Sequence, residues 1–484
     1  MIRERSAWPA LGPTDVLVAA AGALLILLGS WLTDRGGVEV GVGVFVALLL
    51  FLVALAGFLF VPYLAVALTI PLFALVPALK VFVGAWVGPV KDLVAVAAIL
   101  AALVLLVAER APARRLPDAA TISLVALLLG LYVVNVGGGH DVAWGQGVRL
   151  TGEPLLLLVA GLTLADPRRT LRFAVASLIA TATLVACYGL FQQQIGIWGL
   201  HDLGYVFDEH IRTFHGHLRS FGTLDDPFAY ATLLVSGLAA VVFWMRPGPL
   251  SLLCGGLLAA GIYVSYVRTA GVIALALVGL WLARRGLSAS AALVAGAALA
   301  AAIVVLVTQV HGQESRTVRA SNTVLTLNGR TDAWSAALGG PSDWVFGQGV
   351  GEIGTAAERA EFGIERAADF ELGENAKAVD SGYLATLADV GFAGLVVLLA
   401  LLARLAQLAG RATRLGYRAG WIAAAFLSVQ ALDALTRSSF TGFPTAFLGF
   451  FLIGIALAAA RDEEASAPAA RRPSIRWSGS PSSG

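Results

Sequence analysis

Arg219, Arg268, Arg330 and Asp380 are the residues of this chain whose type and setting best suit chemistry. A guanidinium carries a fixed charge and a planar fork of donors that takes phosphate oxygens in pairs. Arg219 lies in HLRSFGTLDDPFAYATLL, residues 217–234, a few positions before Asp226-Pro227. That dipeptide is an ordinary helix start, an acidic cap followed by Pro at the first helical position. Helix N-termini favour anions, so Arg219 reads as part of an anion site, with a solvated arginine as the plain alternative. Arg268, in SYVRTAG at 265–271, is wedged between two apolar runs with almost no loop. An arginine in a bilayer centre costs roughly 2.5–3.5 kcal/mol on insertion scales, so such residues tend to be kept for pairing or substrate work. The competing reading is a turn whose arginine snorkels to the surface.

The one long polar stretch runs from about His311 to Asp380. In its NGRTDAWSAALGGPSDWVFGQGVGEIG segment, Arg330 and Trp334 stand four apart and share a helical face. Gly347, Gly349 and Gly351 permit close backbone approach, either to a ligand or in a turn between interfacial helices. Trp334 and Trp344 suit an aromatic belt at the headgroups. In AVDSGYLATLADVGFAGLVV, residues 378–397, Asp380 and Tyr383 stand at the mouth of an apolar run. A carboxylate there is either a helix cap or a general base beside a reacting hydroxyl. His140, His201, His210, His215, His217 and His311 are irregularly spaced and have no acidic partner in register, so no metal site is expected. Cys187 and Cys254 lie inside apolar runs and suggest neither a disulfide framework nor a metal cluster.

These residues need elements to hold them. The chain is 58% hydrophobic and 13% charged, far from the roughly 25% charged of a soluble domain. A net charge of +2, scattered between apolar runs, excludes a nucleic-acid binder. Counting runs against the roughly 20 residues a bilayer requires predicts an all-α, polytopic transmembrane helix bundle of about fourteen spans. They lie near 15–33, 41–58, 61–79, 93–108, 119–136, 153–165, 173–194, 228–245, 249–267, 269–283, 287–309, 383–403, 420–436 and 444–460. The uncharged boundary at Phe60-Val61-Pro62 leaves the second and third runs open to being one broken unit. The first run has no small-residue cleavage site and reads as an uncleaved helix. Residues 1–460 then form one transmembrane domain including a large, partly helical external loop at 310–382. Residues 461–484, rich in Pro, Ser and Gly, form a disordered tail.

Basic residues fall on alternate connections, which sets orientation. Arg3, Arg5, Arg110, Arg114, Arg115, Arg168, Arg169, Arg172, Arg246, Arg284, Arg285, Arg404, Arg411, Arg414, Arg418 and the tail arginines share one side, placing both termini in the cytoplasm. Connections 34–40, 80–92, 137–152, 195–227, 310–382 and 437–443 fall outside, with Lys80 and Lys91 there against the rule.

The ordered set resembles the O-antigen ligase and O-antigen polymerase superfamily. It comprises an arginine and glycine before the eighth span, a Ser-x-x-Arg turn, Gly-Arg-x-x-x-Trp opening a large loop, Gly-x-Gly, and a polar pair before Gly-Tyr-Leu. The resemblance covers roughly 210–400. It implies a membrane glycosyltransferase of the GT-C type on the outer face of the bacterial inner membrane. The implied donor is a polyprenyl-diphosphate-linked glycan and the acceptor a glycan or lipid-glycan, with other polysaccharide-assembly membrane proteins as partners. Arg219 and Arg268 then match the arginines that hold the diphosphate and Arg330 the one that opens the loop. Trp334, Gly349, Tyr383 and His217 are the substrate-binding candidates, and no metal or cofactor is implied. Ligases carry His-Asn where this chain has Asp380-Ser381, which favours a polymerase over a ligase, and the family's Pro-Asn is Pro227-Phe228 here. A peptidoglycan-type polymerase ranks third. From another class, a lipid-oligosaccharide flippase would show ionisable residues within spans and short loops on both faces. A non-catalytic assembly protein would leave Arg268 without a reason.

Overall fold

The structure, a computed structural model, describes residues 45–107, 118–136, 141–205, 213–214, 217–286, 340–353, 356–357 and 381–466. Thirteen helices occur among them: α1 Phe45–Phe60, α2 Pro62–Phe82, α3 Val90–Val107, α4 Ala119–Val134, α5 Asp141–Thr163, α6 Pro167–Asp202 and α7 Pro227–Trp244. Then come α8 Pro249–Val264, α9 Arg268–Arg284, α10 Pro341–Phe346, α11 Gly382–Arg414, α12 Arg418–Asp433 and α13 Thr445–Ser466. A two-residue hairpin, β1 Thr213–Phe214 with β2 His217–Leu218, lies between α6 and α7.

Proline sets many of the starts. Pro62, Pro167, Pro227, Pro249 and Pro341 each stand in the first turn, where the missing N–H costs nothing. Side-chain caps set others: Asp118 accepts from the Thr121 amide at 3.1 Å and Asp226 from the Ala229 amide at 2.7 Å.

Six helices (α2, α3, α6, α7, α11 and α13) are long and apolar enough to cross a membrane, and α1, α4 and α8 are shorter apolar helices. The expected first and eleventh spans lie outside the described residues. Val61 separates α1 from α2, so the uncharged boundary there is a real break.

Three boundaries differ from expectation. The 137–152 connection is helical from Asp141, because α5 carries its polar first half into contact with α3. α6 runs on to Asp202 after a break at Gly196, whose φ is +66°. α13 extends to Ser466, six residues into the expected tail, where Asp462 and Glu464 pair with Arg168 and Arg411.

α13 forms the inside of the bundle. In its apolar window 83% of residues are buried, and it packs on α5, α6 and α12. Backbones meet at Gly161 and Gly454, where an added Cβ would stand 2.5 Å from the Phe451 carbonyl and 2.4 Å from that of Leu158. Small residues at helix crossings allow the backbone approach on which packing in lipid depends.

Candidate functional site

The segment bearing Arg219 is held by two glutamines on α6, one turn before its break. Gln192 is wholly buried; its amide oxygen accepts from the Phe221 and Gly222 amides at 3.1 and 2.8 Å, and its nitrogen donates to the Gly222 carbonyl at 2.8 Å. Gln193 donates to the Leu218 carbonyl and Ser220 Oγ at 2.8 and 2.7 Å. Gly222 has φ +59° and lies against Tyr230 and Val185, so no side chain fits there. The Phe221 and Gly222 amides and the Leu218 and Gly222 carbonyls are thus paired inside the protein, which fixes where Arg219 leaves the bend.

Arg219 leads to the Ser-x-x-Arg turn. The Ser220 amide donates to the Val264 carbonyl at 3.0 Å and Arg219 Nε to the Ser265 carbonyl at 3.3 Å. The turn is tight: Ser265 Oγ donates to Ile262 at 2.6 Å and accepts from the Val267 amide at 3.2 Å. Tyr266 sits at φ +54°, a left-handed conformation that costs a non-glycine residue on the order of 1 kcal/mol or more. Its ring stacks on His217, centroids 6.2 Å apart and planes 15° from parallel. Arg268 then opens α9, exposed. The Arg219 guanidinium lies 4.7 Å from the centre of the Phe228 ring. Arg219, His217 and the turn that delivers Arg268 therefore gather at one end of the bundle.

Residues 252–399 match the family model described as O-antigen ligase (Wzy_C). The match supports the O-antigen ligase and polymerase superfamily, and with the apolar helices it supports a multi-pass membrane protein that ligates or polymerises glycans. No curated protein matches the chain. Arg268, Arg330, Trp334, Gly349, Asp380 and Tyr383 fall inside the O-antigen ligase segment; Arg219 and His217 fall before it. The bonds from Arg219 and Ser220 to Ser265 and Val264 join the two parts.

Arg330, Trp334 and Asp380 lie outside the described residues, as do His140, His210, His215 and His311. Ser381, next to Asp380, caps α11 and donates to the Ala434 carbonyl at 3.2 Å. The Tyr383 hydroxyl donates to the Ala431 carbonyl at 3.0 Å and its ring meets Phe440 edge-on at 5.1 Å, so Tyr383 anchors α11 to α12.

Gly349 lies in a strap over the kink of α11. Gln348 and Val350 donate to the Ala388 and Asn135 carbonyls at 2.7 and 3.0 Å. An added Cβ at Gly347 would lie 2.7 Å from the Asp389 carbonyl, and one at Gly351 2.6 Å from that of Ala143. What these glycines approach is the protein's own backbone, at the kink of α11 and the first turn of α5. Trp344 and Phe346, in α10 beside the strap, are exposed.

Two polar groups escaped sequence reasoning. Arg437 pairs with Asp226 at 3.2 Å and Asp433 at 3.8 Å, and its carbonyl accepts from the Gly382 amide at 2.8 Å. The second is a quartet between α3 and α5. Lys91 pairs with Asp92, and Arg149 with Asp92 at 3.0 Å and Glu153 at 3.5 Å. Lys91 also lies 5.0 Å from the centre of the Phe443 ring. The signal was there in Lys91, whose place broke the positive-inside rule because its charge is neutralised within the bundle. Among the described residues no group of three or more His, Cys, Asp or Glu is placed to hold a metal.

Proposed function

We propose that this chain transfers an oligosaccharide from a polyprenyl-diphosphate donor to a hydroxyl of an acceptor glycan, as a polysaccharide polymerase at the outer face of the bacterial inner membrane. The observation that carries the reading is the join of the Arg219 bend to the turn that opens α9 at Arg268. It brings two arginine-bearing segments, about fifty residues apart in sequence, to one place. The acceptor oxygen attacks the anomeric carbon as the bond from that carbon to the diphosphate oxygen breaks. The leaving diphosphate keeps the electron pair, and Arg219 and Arg268 neutralise its charge through paired hydrogen bonds. Asp380 takes the proton of the acceptor hydroxyl. His217, stacked on Tyr266 beside this turn, Arg330 and Trp334 contribute to substrate binding.

Asp380-Ser381 in place of His-Asn favours polymerase over ligase. The Lys91, Asp92, Arg149 and Glu153 charges aside, which are paired with one another between α3 and α5, the gathering of polar sequence into the 311–380 stretch favours an enzyme over a flippase. The test is Arg219→Lys and Arg268→Lys, each keeping the charge and losing the fork. Transfer should fall at least about tenfold, the loss of roughly one charge-assisted hydrogen bond, while protein level stays near normal. Wild-type transfer in both variants refutes the diphosphate clamp.

A further inference from the structure

At the end of α7 opposite Arg219, three arginines converge. Arg284, closing α9, donates through Nη1 to the Phe243 carbonyl at 3.1 Å, and Arg418, opening α12, donates through Nε to the same oxygen at 3.4 Å. Two guanidiniums on one oxygen lie within the roughly 8 Å Debye length of physiological salt, so solvent ions do not screen them from each other. Arg246, on the link from α7 to α8, is a second like charge acting on Arg418 beside Arg284.

Capping accounts for both hydrogen bonds, because a carbonyl oxygen accepts two, but a dipole end of about half a charge balances no more than one guanidinium. It leaves the others uncompensated. Among the described residues none of these three arginines forms an ion pair, whereas Arg168, Arg404 and Arg411 on other helices each do. Glu463 is the acidic group that acts on Arg418, and it is shared with Arg168.

The surroundings are aromatic. The Arg418 guanidinium lies 4.6 Å from the centre of the Trp244 ring, and Trp421 stacks on Phe243 with planes 5° apart. Arginines over tryptophans at the end of apolar helices match the depth of lipid headgroups, where aromatic belts sit.

The geometry points to a binding site for the phosphate headgroup of an anionic phospholipid, formed by Arg246, Arg284 and Arg418 where α7, α9 and α12 meet. The phosphate replaces the missing carboxylates, and the acyl chains lie along the apolar faces below. Such a lipid ties the start of α12 to the end of α9, so it holds together helices that carry the Arg219 and Arg268 segments at their other ends.

The test compares the full chain in nanodiscs of pure phosphatidylcholine with nanodiscs containing about one fifth phosphatidylglycerol. The anionic lipid should raise the unfolding temperature, and native mass spectrometry should retain phosphatidylglycerol on the wild type. Each arginine near an anionic headgroup contributes about fivefold to affinity, so Arg284→Gln with Arg418→Gln should weaken retention about 30-fold and remove most of the thermal shift. Arg168→Gln, whose partner is Asp462 at 2.8 Å, should leave both unchanged. No thermal shift in the wild type overturns the site, as does full retention in the double variant or an equal loss in Arg168→Gln. The wild-type comparison decides the matter if the double variant does not fold. Inorganic phosphate added to detergent-solubilised protein should give no such shift; an equal one overturns the lipid in favour of a soluble anion.

Discussion

Replacing Gln192 with Met asks whether the bend bearing Arg219 is held in place for function. Methionine has similar length and helix propensity, so α6 and its packing stay intact while three hydrogen bonds disappear. The Phe221 and Gly222 amides and the Gly222 carbonyl all lose their partner. A buried polar group left unsatisfied costs about 1–3 kcal/mol, and taking the low end for each gives a loss of about 3 kcal/mol. At 1.4 kcal/mol per tenfold, the ratio of held to released bend falls about 10²-fold. The loss is local, because Gln192 does not touch the packing between α13 and α5. Glycan transfer in isolated membranes should therefore fall steeply at unchanged protein level, and amides 219–223 should exchange hydrogen faster. Gln192→Glu, which keeps an acceptor for both amides, should recover part of the activity. If Gln192→Met retains more than half of wild-type transfer with unchanged exchange, the position of Arg219 does not depend on this clamp and the reasoning fails.

Gly391→Ala places a Cβ 2.3 Å from the Val345 carbonyl at φ +68°, and should cost about 3 kcal/mol or more as strap and kink separate; Gly256→Ala, with nothing within 4 Å, is the control, and equal unfolding temperatures in detergent would refute the strap. Cysteines introduced at Ser321 and Thr355 should react with an impermeant reagent in intact cells, and labelling only after lysis overturns the orientation. Asp380→Asn keeps the size of the side chain beside the Ser381 cap but cannot take a proton; as a general base its loss costs about 10²–10⁴-fold in transfer, whereas more than half of wild-type transfer means that the acceptor hydroxyl is activated elsewhere.

What the sequence revealed followed local rules. Pro227 after Asp226 predicts a helix start with an acidic cap, and both appear. The Ser265–Arg268 turn is likewise legible as a short polar interruption between apolar runs. The first half of α5 was not, because counting apolar residues charges Arg149 at full price and starts the span only at Glu153. Between α3 and α5 their charges meet Lys91 and Asp92, and the polar half-helix is accommodated. Gln192 was invisible for another reason. A glutamine in an apolar helix has no pattern that names a partner about thirty residues on, and only the folded bend supplies it.

The Arg219 end depends on a residue that composition hides among the other arginines. Asp226 both caps α7 and binds Arg437, while the Arg437 carbonyl holds the Gly382 amide. Arg437 therefore links the helix start that follows Arg219 to the helix start that follows Asp380 in sequence. The proposed transfer needs the attacking hydroxyl oxygen held within about 3–3.5 Å of the carbon that carries the diphosphate, and small displacements cost orders of magnitude in rate. Two helix starts from distant parts of the chain reach that accuracy only if something rigid spans them. A half-buried, doubly paired arginine is suited to this, because its fork fixes direction as well as distance. The O-antigen ligase match covers residues 252–399, so Arg437, from beyond its end, joins Gly382 within it to Asp226, which lies before it.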